Sequence, residues 1–268
     1  MSVEIINKKE IAKSFGNAAA NYDSVAHFQR WVGNELLQKI PILNDASTIV
    51  DLGCGTGYFL SGLKAKFPKA DYLGFDLSED MIRFARESSG EQESSTYTTW
   101  LVGDGESLPF KTGSVDLIFS SLAIQWCGSL SALFVEIQRV LTDKGVFVFS
   151  SLVDGSLCEL KSSWSQVDGD QHVNEFAYLA DYQEAVTATQ LETKVLEVQA
   201  KVLYYQKVKD LTRELKTLGA HNMTAHRSTH LTGKQRIKQF LSAYEEFRLD
   251  SGALPASYQV LFGVLAKT

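Results

Sequence analysis

Within residues 22–40, apolar side chains fall at Val25, Phe28, Val32, Leu36 and Ile40. This is a helical spacing, and Pro41 ends it. The next stretch, "STIVDLG", is an unbroken run of β-branched and apolar residues and predicts a buried strand. "GYFLSGLKAKF", from Gly57 to Phe67, predicts a helix stopped by Pro68. "DYLGFDL" predicts a second strand, and Ser78 is placed to cap a helix over "EDMIRFARES". "TTWLVGD" and "SVDLIFSSLAI" predict a third and a fourth strand. Leu130, Leu133, Phe134, Ile137, Val140 and Leu141 share one face of a further helix, and "GVFVFSSL" predicts a fifth strand.

Strands alternating with helices specify an α/β fold with a parallel, doubly wound sheet. Continuously apolar strands fit burial on both faces. After residue 152 the pattern loosens, and residues 156–190 read as irregular helix. "TKVLEVQAKVLYY" predicts a long strand, "KVKDLTRELKTLG" a helix ended by Gly219, "GKQRIKQFLSAYEEF" another helix, and "SYQVLFGVLAKT" a closing strand. The expected organisation is one domain over residues 1–268 with a mostly parallel, seven-stranded sheet. Residues 1–40 form an N-terminal helical lid and 45–152 a cofactor-binding core. Residues 207–250 form a helical cap inserted between the last two strands.

Composition narrows the function. With 44% hydrophobic and 22% charged residues the chain can bury a substantial core. A net charge of −6 weighs against nucleic acid as the main partner. Cys54, Cys127 and Cys158 form neither a paired metal spacing nor a disulfide framework, which fits a reducing compartment. The N-terminus lacks a long apolar region and no run of eighteen apolar residues occurs. A cytoplasmic monomer with no membrane span is therefore expected.

The chemistry centres on "VDLGCGTGYF", residues 50–59, where Gly53, Gly55 and Gly57 follow Asp51. A dinucleotide fingerprint spaces its glycines G-x-G-x-x-G, so the third glycine here comes one residue early. Asp51 stands where a dinucleotide site is ordinarily apolar, and a carboxylate suits a cationic group better than a pyrophosphate. Asp76 lies 19 residues beyond Gly57, at the end of the second strand, where an acidic residue accepts from ribose hydroxyls. Asp104 closes the third strand, where a carboxylate can accept from an adenine amino group. One ligand answers all three carboxylates: S-adenosylmethionine, with an α-amino group, a ribose and an adenine, and no phosphate.

"VDLGCGTGYF", "GFDLSEDMI", "GDGESLPF" and "VDLIFSSLAIQW" resemble, in order, the successive motifs of class I S-adenosylmethionine-dependent methyltransferases, with a Rossmann-like sheet. The resemblance implies that Gly53, Gly55 and Gly57, with Cys54 between them, let the backbone approach the cofactor. Asp51 would face its amino-acid end and Asp76 its ribose. Leu77 and Met81 would pack near the adenine, and Asp104 would bind the adenine amino group with Gly105 and Glu106 beside it. Cys54 also reads as a small packing residue.

The acceptor is read from the segments around that core. A carbon or hydroxyl acceptor needs a base, whereas a carboxylate is ionised at neutral pH and needs none. "SLAIQWCGSL" offers Gln125 and Trp126 and no Asp, Glu or His. "KSFGNAAANYDSVAHFQR", "LAIQWCGSL", "LKTLGAHNMTAHRSTHLTGK" and "LPASYQVLFGVLAK" resemble the malonyl-[acyl-carrier protein] O-methyltransferase family of biotin synthesis. That family esterifies the free carboxyl of a malonyl thioester, and the ester hides the charge from the enzymes that elongate the chain. By this resemblance Tyr22 belongs to a segment closing over the acceptor, Trp126 lines its pocket, and Arg227 matches an arginine of the family's histidine-containing segment. Residues 201–238 hold nine Lys or Arg against Asp210 and Glu214, a local charge of +7. Such a cap suits an acidic partner, here an acyl carrier protein bearing a malonyl thioester, docked on Lys207, Lys209 and Arg213. Aromatic residues are too sparse in the cap to suggest nucleic acid. His221, His226 and His230 lie close together, but methyl transfer requires no metal and none is expected. Two readings stay open beside the carboxyl methyltransferase: methylation of a free dicarboxylate or quinone precursor, and a module that binds the cofactor without turnover.

Overall fold

The computed structural model describes residues 7–90, 96–220 and 233–268. Two helices lead the chain, α1 (Lys8–Val25) and α2 (His27–Lys39). The core then alternates β1 (Thr48–Leu52), α3 (Leu60–Lys66), β2 (Asp71–Asp76), α4 (Glu79–Ser89), β3 (Thr98–Val102), β4 (Val115–Ser121), α5 (Leu130–Val140) and β5 (Leu141–Leu152). A single 3-10 turn, Ile124–Trp126, follows β4. Helices α6 (Cys158–Ser165) and α7 (Leu179–Thr187) precede the long β6 (Leu191–Tyr205). Helices α8 (Val208–Thr217) and α9 (Lys234–Glu245) then lie between β6 and β7 (Leu254–Lys267). The seven strands run in the order β3-β2-β1-β4-β5-β7-β6, and only β7 is antiparallel to its neighbours.

The central strands bury both faces, as their unbroken apolar runs require. On one face Val32, Leu36, Leu63, Leu160, Phe240 and Tyr244 pack against the sheet. On the other, Leu133, Phe134, Ile137, Tyr182 and Val186 do so. The N-caps follow from sequence: Ser78 accepts from the Met81 N–H and Ser129 from the Ala132 N–H.

Three local departures bear on the site. The periodic stripe through residues 22–40 spans two helices, because the chain turns at the buried Ala26. Phe28, Val32, Leu36 and Ile40 beyond the turn face one core, whereas Val25 before it belongs to α1 and lies outside that cluster. Helix α3 starts at Leu60 and not at Gly57, since the glycine turn extends through Gly57 in left-handed backbone. Asp104 lies two residues beyond β3, in the loop that follows it.

Candidate active site

Parallel strands open their carboxyl ends onto ligands, and the main cleft sits there. It is an open cleft holding about 810 Å³ of space, open solvent included. Leu52 ends β1 at its edge, Phe75 and Asp76 end β2, Gly103 to Gly105 follow β3, and Ser121 to Ile124 follow β4. Helix α1 crosses the opening and contributes Lys8, Ile11, Phe15 and Tyr22.

The glycine turn is shaped by clearance as well as by φ. Gly53 has φ +75°, and a Cβ there would lie 2.2 Å from the Ala123 Cβ across the cleft. Gly55 has φ +52° and open space where a Cβ would point, so its backbone is free to approach a ligand. Gly57 departs from the expected role. It is not among the residues facing the cleft, and a Cβ there would meet the Trp100 ring at 2.7 Å. Its glycine serves the packing of the turn on β3. Opposite the turn, Leu122 holds φ +51°, rare for a branched side chain. Its N–H is fixed by the Ser150 carbonyl and hydroxyl, each at 3.1 Å.

Asp76 is braced from both sides. Oδ2 accepts from the Gly55 N–H at 2.9 Å and Oδ1 from the Ser78 N–H at 2.8 Å. Burial pushes its carboxyl up, and these donors oppose the shift. With one backbone donor on each oxygen, the carboxylate of this cleft-lining residue keeps further acceptor capacity, as a ribose diol requires. Asp51 is almost wholly buried and accepts from the Tyr72 hydroxyl at 2.7 Å. Burial first, then the nearby Asp76, raise its carboxyl to about 7, against the Tyr72 hydrogen bond. A buried carboxylate with that strain is matched to a cation. Leu77, Met81 and Gly105 face the main cleft, while Cys54 lies in a side recess with Asp51. Burial raises the Cys54 thiol well above its usual range, so it stays neutral.

Asp104 and Glu106 carry a partner that sequence reasoning missed. The Lys8 ammonium reaches Asp104 Oδ2 at 2.6 Å and Glu106 Oε1 at 2.8 Å. Glu106 also accepts from the Gly128 N–H, and it is not among the residues facing the cleft. It ties the loop before α5 to the lid helix. Lys8, Ile11, Phe15 and Tyr22 repeat at steps of three, four and seven. A helical stripe traced back from Tyr22 was the available signal.

At the acceptor side, Phe15 meets Trp126 edge-on with centroids 5.4 Å apart, and Tyr22 lies 6.5 Å from Phe15. Burial, with Asp76 and Asp23 adding, raises the Tyr22 hydroxyl, which therefore stays protonated and able to donate. Gln125 is turned away: its side-chain oxygen accepts from the Ser151 hydroxyl at 3.3 Å, and it does not face the cleft. Arg227 lies outside the described residues, as do His221, His226 and His230. Lys207, Lys209 and Arg213 are exposed on α8 and at its N-cap. The basic cap is partly offset within the fold, because Arg236 pairs with Asp168 and Asp170 and Arg213 with Asp210. Among the described residues, Asp168, Asp170 and His172 are close enough to share a metal. Arg236 already supplies their positive charge.

The chain resembles known proteins over nearly its whole length. A family model described as "Methyltransferase domain" matches residues 50–149. The chain is 42% identical over 98% of its length to the biotin biosynthesis bifunctional protein BioHC of Cellvibrio japonicus, of which it covers 51%. It thus spans about half the length of the bifunctional relatives it matches. It is 38% identical over 97% of its length to a malonyl-[acyl-carrier protein] O-methyltransferase of Methylococcus capsulatus, of which it covers 94%. The chain belongs to the malonyl-[acyl-carrier protein] O-methyltransferase family. A similar chain from Laribacter hongkongensis is 35% identical and is covered over 88% of its length. Among solved structures, the YcgJ protein of Bacillus subtilis superposes with a TM-score of 0.62 at 20% identity, covering 89% of this chain and 98% of that one. That likeness establishes the class I methyltransferase sheet. The braced Asp76, the open backbone at Gly55 and the buried Asp51 fit S-adenosylmethionine, the cofactor of this family.

Proposed function

We propose that the chain transfers a methyl group from S-adenosylmethionine to the free carboxyl of a malonyl thioester on acyl carrier protein, a step of biotin synthesis. The full-length similarity to methyltransferases of that name carries the reading. The cofactor supplies an electrophilic methyl on a sulfonium. Asp76 binds the ribose and Asp51 the amino-acid end, with Leu77 and Met81 against the adenine. Asp104 reads the adenine amino group beside its ion pair with Lys8. Phe15 and Trp126 wall the acceptor space, and Tyr22 donates to one carboxylate oxygen while the other attacks. No base is needed, because the nucleophile arrives ionised. Positioning of that oxygen in line with the methyl is the main demand on the protein. A neutral phenol suits this better than a close cation, which would blunt the nucleophile.

The carrier docks on Lys207, Lys209 and Arg213. The C-terminal end of α8 abuts the lid helix, with the Ser14 hydroxyl donating to the Gly219 carbonyl at 3.0 Å. A carrier on α8 thus sits beside the helix that bears Phe15 and Tyr22. The deciding experiment incubates the chain with S-adenosylmethionine and malonyl-carrier protein, with free malonate in parallel, and reads the intact mass of the carrier. One added methyl on the carrier is the expected result. Methylation of malonate alone, or no transfer with cofactor bound, would exclude the proposal.

A further inference from the structure

We infer that Gln29 is a binding residue for the α-amino group of the cofactor's methionine half, its amide oxygen sharing that ammonium with Asp51. The inference rests on the reading of the cleft as an S-adenosylmethionine site. Gln29 sits in the first turn of α2, and its Oε1 is buried with no hydrogen-bond partner among the described residues. A buried acceptor left unmade is costly, and native structures keep few of them. Gln29 lines a recess with Asp51, Gly53, Gly55, Thr56 and Ser121, and this recess shares Tyr22, Gly53, Gly55 and Ser121 with the main cleft.

Several donors around the recess are already engaged. The Tyr72 hydroxyl donates to Asp51. The Thr56 hydroxyl donates to Asp23 Oδ1 at 3.0 Å. The Arg30 guanidinium bonds the Asp23 carbonyl and the His27 ring. An unpartnered amide oxygen and a buried carboxyl held by one hydroxyl therefore belong to residues lining one small recess, and both accept from N–H or O–H donors. A ligand group entering here must bring several donors and a positive charge. An ammonium does both, with three N–H bonds to distribute. A carboxylate would bring no donor to the Gln29 oxygen and would repel Asp51, and a thioether would bring neither donor nor charge. The position also fits the ligand's length, because the recess lies on the glycine-turn side of Asp76, away from Leu77, Met81 and Asp104.

The test is calorimetric, on the full chain, with three ligands: S-adenosylhomocysteine, its analogue with the α-amino group replaced by hydrogen, and methylthioadenosine, which lacks the amino-acid end. Gln29→Leu should weaken S-adenosylhomocysteine about tenfold or more, the loss of one hydrogen bond to a charged group. It should leave the deaminated analogue and methylthioadenosine unchanged. Gln29→Glu, which keeps the acceptor and adds charge, should bind S-adenosylhomocysteine at least as tightly as the wild type. Equal losses for all three ligands would mean that Gln29 only supports the fold, and an unchanged S-adenosylhomocysteine affinity would mean that water satisfies the amide; either overturns the inference. Should Gln29→Leu not fold, Gln29→Glu carries the test, and a loss of S-adenosylhomocysteine affinity there overturns it. A wild-type chain that binds none of the three ligands refutes the cofactor reading itself.

Discussion

Asp51 ties cofactor affinity to pH. Its carboxyl is buried within β1 and raised to about 7, mainly by burial and secondarily by Asp76. In the free protein it is largely protonated at pH 6, yet an ammonium ligand requires the anion. If only the ionised form binds, affinity follows the ionised fraction. That fraction is about a tenth at pH 6 and about three quarters at pH 7.5; with the ligand's own amino group only about two thirds protonated at pH 7.5, affinity should rise about fivefold across that interval. The upper limit is chosen because α-amino groups lose their own proton at about 7.7 to 8.0. Calorimetry with S-adenosylhomocysteine, repeated in two buffers of different protonation enthalpy, should show close to one proton released per ligand at pH 6 and few at pH 7.5. Asp51→Asn should bind more weakly and lose the slope. Folding gives the opposite dependence. The folded carboxyl titrates above its usual value near ~3.9, so the folded state holds more protons, and the free protein loses stability as pH rises from about 4 through 7. Asp51→Asn should flatten that loss in thermal melts of the free protein. A wild-type affinity constant from pH 6 to 7.5, with Asp51→Asn still impaired, would refute the reasoning.

Three further outcomes are expected. Asp76→Ala should weaken S-adenosylmethionine at least tenfold, since each bond to a charged acceptor contributes about 1.5 to 3 kcal/mol; unchanged affinity in a folded variant would remove Asp76 from the ribose. Changing Lys207, Lys209 and Arg213 together to Glu should raise KM for malonyl-carrier protein and leave cofactor affinity alone. The effect should shrink as salt rises, because exposed charges are screened over ~8 Å at physiological ionic strength, and wild-type kinetics at low salt would place docking elsewhere. Tyr22→Phe should lower kcat/KM for malonyl-carrier protein with little change in cofactor binding, whereas an unaltered rate would free the phenol from the acceptor.

The central sheet was legible because strands buried on both faces leave unbroken apolar runs, and "STIVDLG" and "GVFVFSSL" each became a strand. Asp51 and Asp76 were legible because an acid beside a strand end and a glycine turn is local chemistry. The packing constraint on Gly57 was not legible, because it comes from the Trp100 ring, 43 positions along the chain. Lys8 left no mark of its own in "NKKEI", where one lysine resembles the next, and only the stripe through Tyr22 selects it. Gln29 was hidden for a different reason. Its significance lies in a hydrogen bond it does not make, and a sequence records residues but not unmet valences. The turn at Ala26 escaped because a helical stripe continues in phase through a single altered ψ.

Helix α1 is fastened near both ends to loops that border the cleft. Lys8 grips Asp104 and Glu106 at one end, and Asp23 accepts from Thr56 of the glycine turn at the other. Between those anchors the same helix presents Phe15 and Tyr22 to the acceptor. A displacement of this helix that broke either anchor would carry Phe15 and Tyr22 with it, so the cleft wall and the anchors are one mechanical unit.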